Sequence, residues 1–246
     1  NRNYYRMRSR EIHGWIGLSR GIGKKFYIEW GPLFQQVKLI EDPERYLSKG
    51  EVHSSNVYEA VNYGGVKLHA RLDTRDDQVV ATRGWVITAD ADYVRNLDEP
   101  GKDVSHYRLG VQTYIPLFTP HLVAHLRTGG AMMNGDAAFY QYNSIGGSQV
   151  LRGYPRDRFR GNTTFYSSNE LQYLFNVRSG IFNGKMGILG LYDIGRVWLD
   201  GEDSDEWHWG YGGGLMLAPF NKVSVSVYYG FSPEGRQFHL RYSKKL

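Results

Sequence analysis

The chain has 246 residues, with 30 Lys and Arg against 25 Asp and Glu and a formal net charge of +5. This mild basic excess is spread along the chain, which argues against a nucleic-acid-binding protein, because such a protein needs a clustered basic face. Cysteine is absent, so disulfides and thiolate metal sites are excluded. Mean hydropathy is −0.50 although 15% of residues are aromatic, a combination that suits a β-barrel with a polar lumen and an aromatic outer band.

The hydrophobic pattern favours membrane-spanning strands over helices. No run approaches the roughly 20 apolar residues that a spanning helix needs, whereas barrel strands need only about 9–11 residues of alternating character. Residues Asn1 to Arg6 begin in mid-pattern and carry no signal peptide, so we expect the sequence to be cut from something longer.

Period-two alternation predicts eleven antiparallel strands in chain order, since alternate side chains lie on opposite faces of a strand. They run Arg10 to Leu18, Lys24 to Ile40, Val57 to Leu72, Val80 to Val94, Val104 to Leu117, Leu122 to Arg127, Thr163 to Val177, Lys185 to Leu199, Trp207 to Phe220, Lys222 to Phe231 and Arg236 to Leu246. Tyr4 to Arg8 would add a twelfth. We also predict a turn at Arg20 to Gly23 and a register change at Gly64-Gly65, because glycine in a strand often marks a bulge.

The connections alternate between short turns and mostly longer, more polar loops, which is the pattern of outer-membrane barrels with periplasmic turns and external loops. By this parity the C-terminus is periplasmic. The longest connection, residues 133–162, is external, and a loop of this length is usually functional or disordered. Its aromatic, Gly and Arg content argues against disorder.

The outward-facing side of the predicted strands is apolar and should meet lipid. Its candidate lipid-facing residues are Trp85, Ile87, Tyr107, Leu109, Phe165, Leu171, Tyr173, Val225 and Val227. In a soluble β-sandwich the same face would pack on a second sheet, and this remains the alternative fold.

A basic, glycine-bearing loop precedes two strands that each carry one carboxylate on an otherwise uncharged polar face. The loop contains Leu151-Arg152-Gly153-Tyr154, and the carboxylates are Glu170 and Asp193, the latter within Tyr192-Asp193-Ile194-Gly195-Arg196-Val197-Trp198. Together these motifs resemble the C-terminal barrel of the BamA/TamA, or bacterial surface antigen, family. The tail from Trp207 to Phe220 looks like the branch in which the barrel is fused behind a metallophosphatase-like domain.

The resemblance implies a lumen loop held by a clamp. Arg152 would bridge to Glu170 and Asp193, Gly153 would allow a tight turn, and Tyr154 would pack on the barrel wall. Family barrels have about sixteen strands, so residues 1–246 are expected to form the C-terminal part of one barrel that does not close by itself.

Other polar clusters are interpreted as non-catalytic and as holding no metal. The acidic run from Asp200 to Glu206, with His208, matches no calcium-loop spacing and is expected to be a solvated loop tip. Arg156, Arg158 and Arg160 are expected to line the lumen, with lipopolysaccharide phosphates as the alternative contact. No catalytic triad or nucleophile elbow is defensible, and no cofactor is expected.

Three functions are compatible with these observations. The first is an assembly-factor barrel that inserts, assembles or translocates proteins at the outer membrane of a Gram-negative bacterium. Its expected partners are outer-membrane lipids, lipopolysaccharide and client proteins or an assembly complex. The second is an anchor or display barrel for a fused phosphatase-like domain, and the third is a soluble β-sandwich binding module.

Overall fold

The computed structural model describes residues 8–41, 58–179, 183–203 and 205–244. Its strands are β1 Ser9–Trp15, β2 Leu18–Ile22, β3 Phe26–Leu39, β4 Ala60–Asp73, β5 Gly84–Asn96, β6 Asp103–Leu117, β7 Thr119–Gly135, β8 Asn143–Ile145, β9 Phe159–Gly161, β10 Thr163–Arg178, β11 Asn183–Trp198, β12 His208–Pro219, β13 Val223–Ser232 and β14 Gly235–Lys244. No helix of these residues is long and apolar enough to cross a membrane.

The main sheet has twelve strands in the order β1-β3-β4-β5-β6-β7-β10-β11-β12-β13-β14, with β2 also paired to β3. All neighbours are antiparallel, and β7 pairs with β10 across the long connection. The all-β antiparallel fold is therefore confirmed. Among the described residues no pairing joins the edge strands β1 and β14.

The N-terminal strands differ from the prediction. Arg20 to Ile22 were expected in a turn but lie in β2, paired with β3, and the turn follows at Gly23, whose φ is +68°. The twelfth strand is thus β2, most of which lies where a turn was predicted. The proposed separate strand Tyr4 to Arg8 lies, except for Arg8, outside the described residues.

The predicted register change at Gly64-Gly65 is wrong. Both glycines continue the register with β3 and β5 without a shift. They serve close approach instead, since a Cβ on Gly65 would collide with the carbonyl oxygen of Tyr93. The irregularity lies at Pro116/Leu117, just before Phe118 turns the chain with a φ of 48°.

The two faces of the sheet differ in exposure. The nine residues predicted to face lipid all lie on the outer face. Trp85, Tyr107, Leu109, Leu171 and Tyr173 are exposed, and Ile87, Phe165, Val225 and Val227 are half-buried. The residues between them on the same strands, such as Val86, Glu170, Ser224 and Ser226, are buried on the inner face.

The β4–β5 connection fills one end of the inner face. Val80 was expected to begin a strand, but β5 begins at Gly84 and Val80 is buried against inner-face residues of β7, β10, β11, β12 and β13. Asp77 holds the segment there, because its Oδ1 accepts the backbone N–H groups of Val79 at 2.7 Å and Val80 at 2.8 Å. The residues predicted to start a strand instead form part of the connection, where Val79 and Val80 pack against the inner face of the sheet.

The long connection between β7 and β10 covers the other end. The connection was predicted at about residues 133–162; it runs between the end of β7 at Gly135 and the start of β10 at Thr163, and it has its own structure. A 3-10 helix spans Phe139–Gln141, and β8 pairs with β9 in a separate two-stranded sheet. Backbone hydrogen bonds within this small sheet give the connection a fixed shape.

Candidate functional site

The long connection spans the inner face from β4 to β14. At its first contact, the hydroxyls of Tyr63 and Tyr140 are 2.5 Å apart. On β6, His106 bonds through Nε2 to the Gln141 carbonyl at 3.0 Å and through Nδ1 to Asp92 at 2.9 Å. These contacts fix the 3-10 helix against β4 and β6.

Leu151 begins the turn that carries the motif to the wall. Its φ is 54°, a left-handed conformation that is uncommon for a residue with a Cβ. The side chain is fully buried and packs with Ile145 and Tyr154, and the Leu151 carbonyl accepts the Tyr154 N–H at 2.9 Å. Burial and the turn hydrogen bond offset the backbone strain, which is typically about 1–3 kcal/mol.

Arg152 is fully buried and makes a fork-shaped contact with Asp193 of β11. Its backbone N–H and Nε both donate to Oδ2, at 2.8 and 2.9 Å, and Nη2 donates to Oδ1 at 2.6 Å. Ser168 donates to the same Oδ1 at 2.9 Å. Asp193 therefore binds the backbone and the side chain of Arg152 at once, which a lysine at residue 152 could not reproduce.

Glu170 of β10 lies between two guanidinium groups. Arg152 donates from Nη1 to Oε1 of Glu170, and Arg241 of β14 donates to Oε1 at 3.0 Å and to Oε2 at 3.2 Å. Gln172 adds a hydrogen bond to Oε2 at 2.7 Å. With Asp193, the cluster holds two positive and two negative side chains, so its formal charges balance in a buried setting.

The last strand therefore takes part in the site, which the sequence analysis did not anticipate. Besides Arg241, His239 of β14 donates from Nε2 to the Arg152 carbonyl at 2.8 Å. Both residues alternate with the outward-facing Phe238 and Leu240. The alternation indicated that they face inward, but it carried no information on how far across the lumen they reach.

A second arginine ties the loop to β7. Arg127 donates from Nη1 to the side chain of Gln149 at 2.9 Å and from Nη2 to the Gln149 carbonyl. The Ser168 hydroxyl oxygen lies 3.3 Å from that carbonyl oxygen, but its proton is directed to Asp193. Gln149 precedes the motif by three residues, so the loop is held on both sides of Leu151.

Gly153 was expected to allow a tight turn, but its role is to permit a close backbone contact. Its φ is not in the left-handed region, so a tight turn is not the reason for glycine. A Cβ here would collide with the Phe231 carbonyl oxygen, and a Cβ on Gly230 would collide with the Arg152 carbonyl oxygen. Two glycines thus let the loop backbone lie directly on β13, where Ser232 donates to the Gly153 carbonyl at 2.9 Å.

Tyr154 and Gly195 complete the motif. Tyr154 is buried, with its ring edge-on to Phe159 at 5.0 Å and to His208 of β12 at 6.1 Å between centroids. Gly195 lies under the loop, because a Cβ there would be 3.3 Å from the Leu151 side chain. All seven predicted motif residues are therefore brought together on the inner face of β10 to β13.

The other charged residues singled out from the sequence, in the long connection and in the acidic loop, lie outside the cluster around Arg152. Arg156 was expected to line the lumen, but its side chain is 90% exposed, and Arg158 pairs with Glu234 at 2.7 Å. In the acidic loop Asp205 pairs with Arg196 at 2.6 Å. Within the described ranges no cluster of three or more metal-ligating side chains occurs.

The architecture is that of an antiparallel, barrel-type sheet whose long loop is pinned to its inner face. The model of the Omp85 superfamily domain matches residues 1–237, and the chain belongs to this superfamily. No curated protein matches the chain.

Two solved structures share the fold. BamA from Haemophilus ducreyi lacking POTRA domains 1–3 superimposes with a TM-score of 0.73 at 16% identity, covering 97% of this chain and 55% of that one. CdiB from Escherichia coli gives 0.64 at 16% identity, covering 95% and 45%. The chain spans about half the length of both structures.

Proposed function

We propose that this chain is the C-terminal part of one outer-membrane barrel that inserts, assembles or exports proteins, and that it is not an enzyme. The observation that carries the proposal is the pinned loop: a motif of the BamA/TamA type binds acidic residues on two neighbouring strands of an Omp85 superfamily sheet. The apolar outer face supports contact with outer-membrane lipid, and client proteins are the proposed partners.

The proposed orientation places the long connections outside the cell and the C-terminus in the periplasm. The turn ends of the strands carry the short connections, such as Phe118 between β6 and β7 and residues 220–222 between β12 and β13. The residues 136–158 lie at the opposite end and fold inward. This is the asymmetry of outer-membrane barrels.

The test is reconstitution of the full-length protein in liposomes, followed by addition of an unfolded outer-membrane protein. Folding of that client is measured by its altered mobility on unheated gels. We expect faster client folding than in empty liposomes. No acceleration of folding, together with normal export of a secreted substrate, would limit the role to export.

A full-length protein that accelerates neither process would contradict the proposal and favour the anchor barrel for a fused phosphatase-like domain. Arg152→Ala tests the loop contact, and its client-folding rate is compared with the parent only after the variant shows the mobility of the folded protein on unheated gels. A client-folding rate that depends on Arg152 would tie the activity to the pinned loop.

A further inference from the structure

An apolar groove of about 470 Å³ crosses the outer face of β3 to β6, away from the pinned loop. Its lining is mostly apolar, although Lys67 and Asp92 also border it. The principal lining residues are Trp30, Pro32, Val66, Ala91, Tyr93 and Tyr107. A groove of this form, on a face proposed to meet lipid, fits a hydrocarbon chain.

Two cations lie directly opposite each other on the same outer face. Arg10 of β1 is the register partner of Lys38 of β3, and both side chains are exposed. Lys38 alternates with the buried Val37 and Leu39, so it points outward, as its partner must. Like charges in directly opposed positions destabilise a sheet unless an anion lies between them.

Among the described residues, no carboxylate forms an ion pair or hydrogen bond with Arg10 or Lys38; the acidic residues nearby include Glu41, Glu59, Asp98 and Glu11. Asp98, at the loop end of the sheet, is bound by Asn62 through the backbone N–H at 2.6 Å and the side-chain amide at 3.2 Å. On β1, Glu11 is bound to Ser9 at 2.7 Å and to His13 at 3.1 Å. An external anion would therefore relieve the repulsion between Arg10 and Lys38.

The cation pair and the groove are separated by the length of a lipid. Lys38 and Pro32 lie on one strand, six residues apart, or about 20 Å at about 3.3 Å per residue. Barrel strands tilt about 45°, so this distance is about 14 Å along the membrane normal, close to the thickness of about 15 Å of one hydrocarbon leaflet. A phosphate at Lys38 therefore places its acyl chain beside Phe34 and into the groove. Phe34 is exposed on the same face between the two features.

We propose that this surface binds a phosphorylated glycolipid of the outer leaflet, with its phosphate between Arg10 and Lys38 and an acyl chain in the groove. The assignment to the outer leaflet rests on the proposed function, which places the long connections outside the cell. Arg10 and Lys38 lie at the end of the sheet that carries those connections. A free phosphate would use the cation pair alone, whereas the lipid uses both parts.

The experiment measures lipid retained by the full-length protein in phosphatidylcholine nanodiscs doped with either lipid A or phosphatidylglycerol, by native mass spectrometry. Arg10→Ala with Lys38→Ala should lower lipid A affinity about 25-fold, because each basic side chain near an anionic lipid surface contributes about fivefold. Arg20→Ala is the matched control, since Arg20 is exposed on the same face at the opposite end of β3.

Ala91→Trp tests the groove separately, because it fills the groove without changing charge. Its control is Ala89→Trp, on the same outer face but outside the groove. Loss of lipid A with both test variants and with neither control supports the proposal, provided that every variant keeps the mobility of the folded protein on unheated gels.

Three results would overturn the site. They are equal loss with Arg20→Ala, unchanged binding in Ala91→Trp, and no preference for lipid A over phosphatidylglycerol. The client-folding test of the proposed function uses liposomes without lipid A, so the lipid site can fail while that function stands.

Discussion

Arg152 is the residue on which the loop depends, because its guanidinium and backbone bind two buried carboxylates from neighbouring strands. Removing one partner of a buried ion pair typically costs about 3–5 kcal/mol, since the other charge is left uncompensated. Arg152→Ala should therefore destabilise the folded protein by about that amount. Arg152→Lys should be intermediate, because it keeps the charge but loses the fork geometry.

A double-mutant cycle on Arg152→Ala and Asp193→Ala, measured by urea unfolding of the full-length protein in lipid, gives the coupling between the two residues. We expect the double variant to be more stable than the sum of the single effects predicts, by about 0.5–3 kcal/mol. Strict additivity would show that the two residues do not act together.

Gly230 offers a steric test of loop docking that changes no charge. Gly230→Ala should push the loop from β13, because its Cβ would meet the Arg152 carbonyl oxygen, and overpacking typically costs about 1–3 kcal/mol. Gly190→Ala is the matched control on β11, where a Cβ has nothing within 4 Å. Proteolysis of the loop should increase in Gly230→Ala only; equal sensitivity of both variants would contradict the close contact.

The residues of the site were predictable where neighbouring strands supplied them. Glu170 and Asp193 stand out because each is the only carboxylate on its own strand, and the motif resemblance linked them to Arg152. Arg241 and His239 were missed because their contacts depend on the curvature of the sheet from β10 to β14. Alternation along a single strand carries no information on that curvature.

Among the elements, the β4–β5 connection shows how a turn can be held by one carboxylate. Asp76 accepts hydrogen bonds from the Thr82 hydroxyl at 2.5 Å and from the backbone N–H groups of Thr82 and Arg83 at 2.9 and 3.2 Å. Partial burial alone would raise the pKa of Asp76. The hydrogen bonds outweigh burial, so the pKa lies below its usual value.

This lowered pKa predicts the pH dependence of the connection. Because the carboxylate is favoured in the folded state, its contribution is complete above about pH 4, the unfolded pKa, and is lost as pH falls through the folded pKa. Amide exchange in residues 76–83 should be faster in Asp76→Asn than in the parent at pH 6, and the difference should shrink by pH 3. Asp203→Asn, in an exposed loop, should match the parent; a constant difference across this range for Asp76→Asn would refute the assignment.

Elements with strict alternation were predicted to within a few residues, because one face is buried and register is then strongly specified. The predicted range Thr163 to Val177 became β10 Thr163–Arg178, for example. The strand start at Val80 was mispredicted, and the short elements within the long connection were not predicted, for a shared reason. Their apolar residues pack against distant strands rather than across a local pleat, and local periodicity does not report such packing.

For the whole molecule, the division into an apolar outer face and a packed inner face predicts how charge is tolerated. Val227 lies in the middle of β13 between the exposed Leu215 and Leu240. Val227→Arg should reduce folding into lipid by about 2–4 kcal/mol if it meets the bilayer midplane. Ser243→Arg is the control, because Ser243 lies on the inner face and is half-buried. Ser224 of β13 also lies on the inner face, but it is too tightly buried to accept an arginine and is therefore not used as the control.

Folding yields of the two variants in the same lipid vesicles decide the facing assignment. A lower yield for Val227→Arg alone supports a lipid-facing outer surface. Equal yields for Val227→Arg and Ser243→Arg would exclude it.

Arg152 holds the long connection against the inner face of β10 to β14. These 246 residues contain no cysteine. With any cysteine elsewhere in the full-length protein replaced by serine, spin labels at Arg156→Cys on the exposed loop tip and Arg236→Cys on β14 report one distance. Pulsed electron paramagnetic resonance in lipid nanodiscs should give a single narrow distance distribution, which broadens when Arg152→Ala is added. A distribution that stays equally narrow in Arg152→Ala would contradict this role of Arg152.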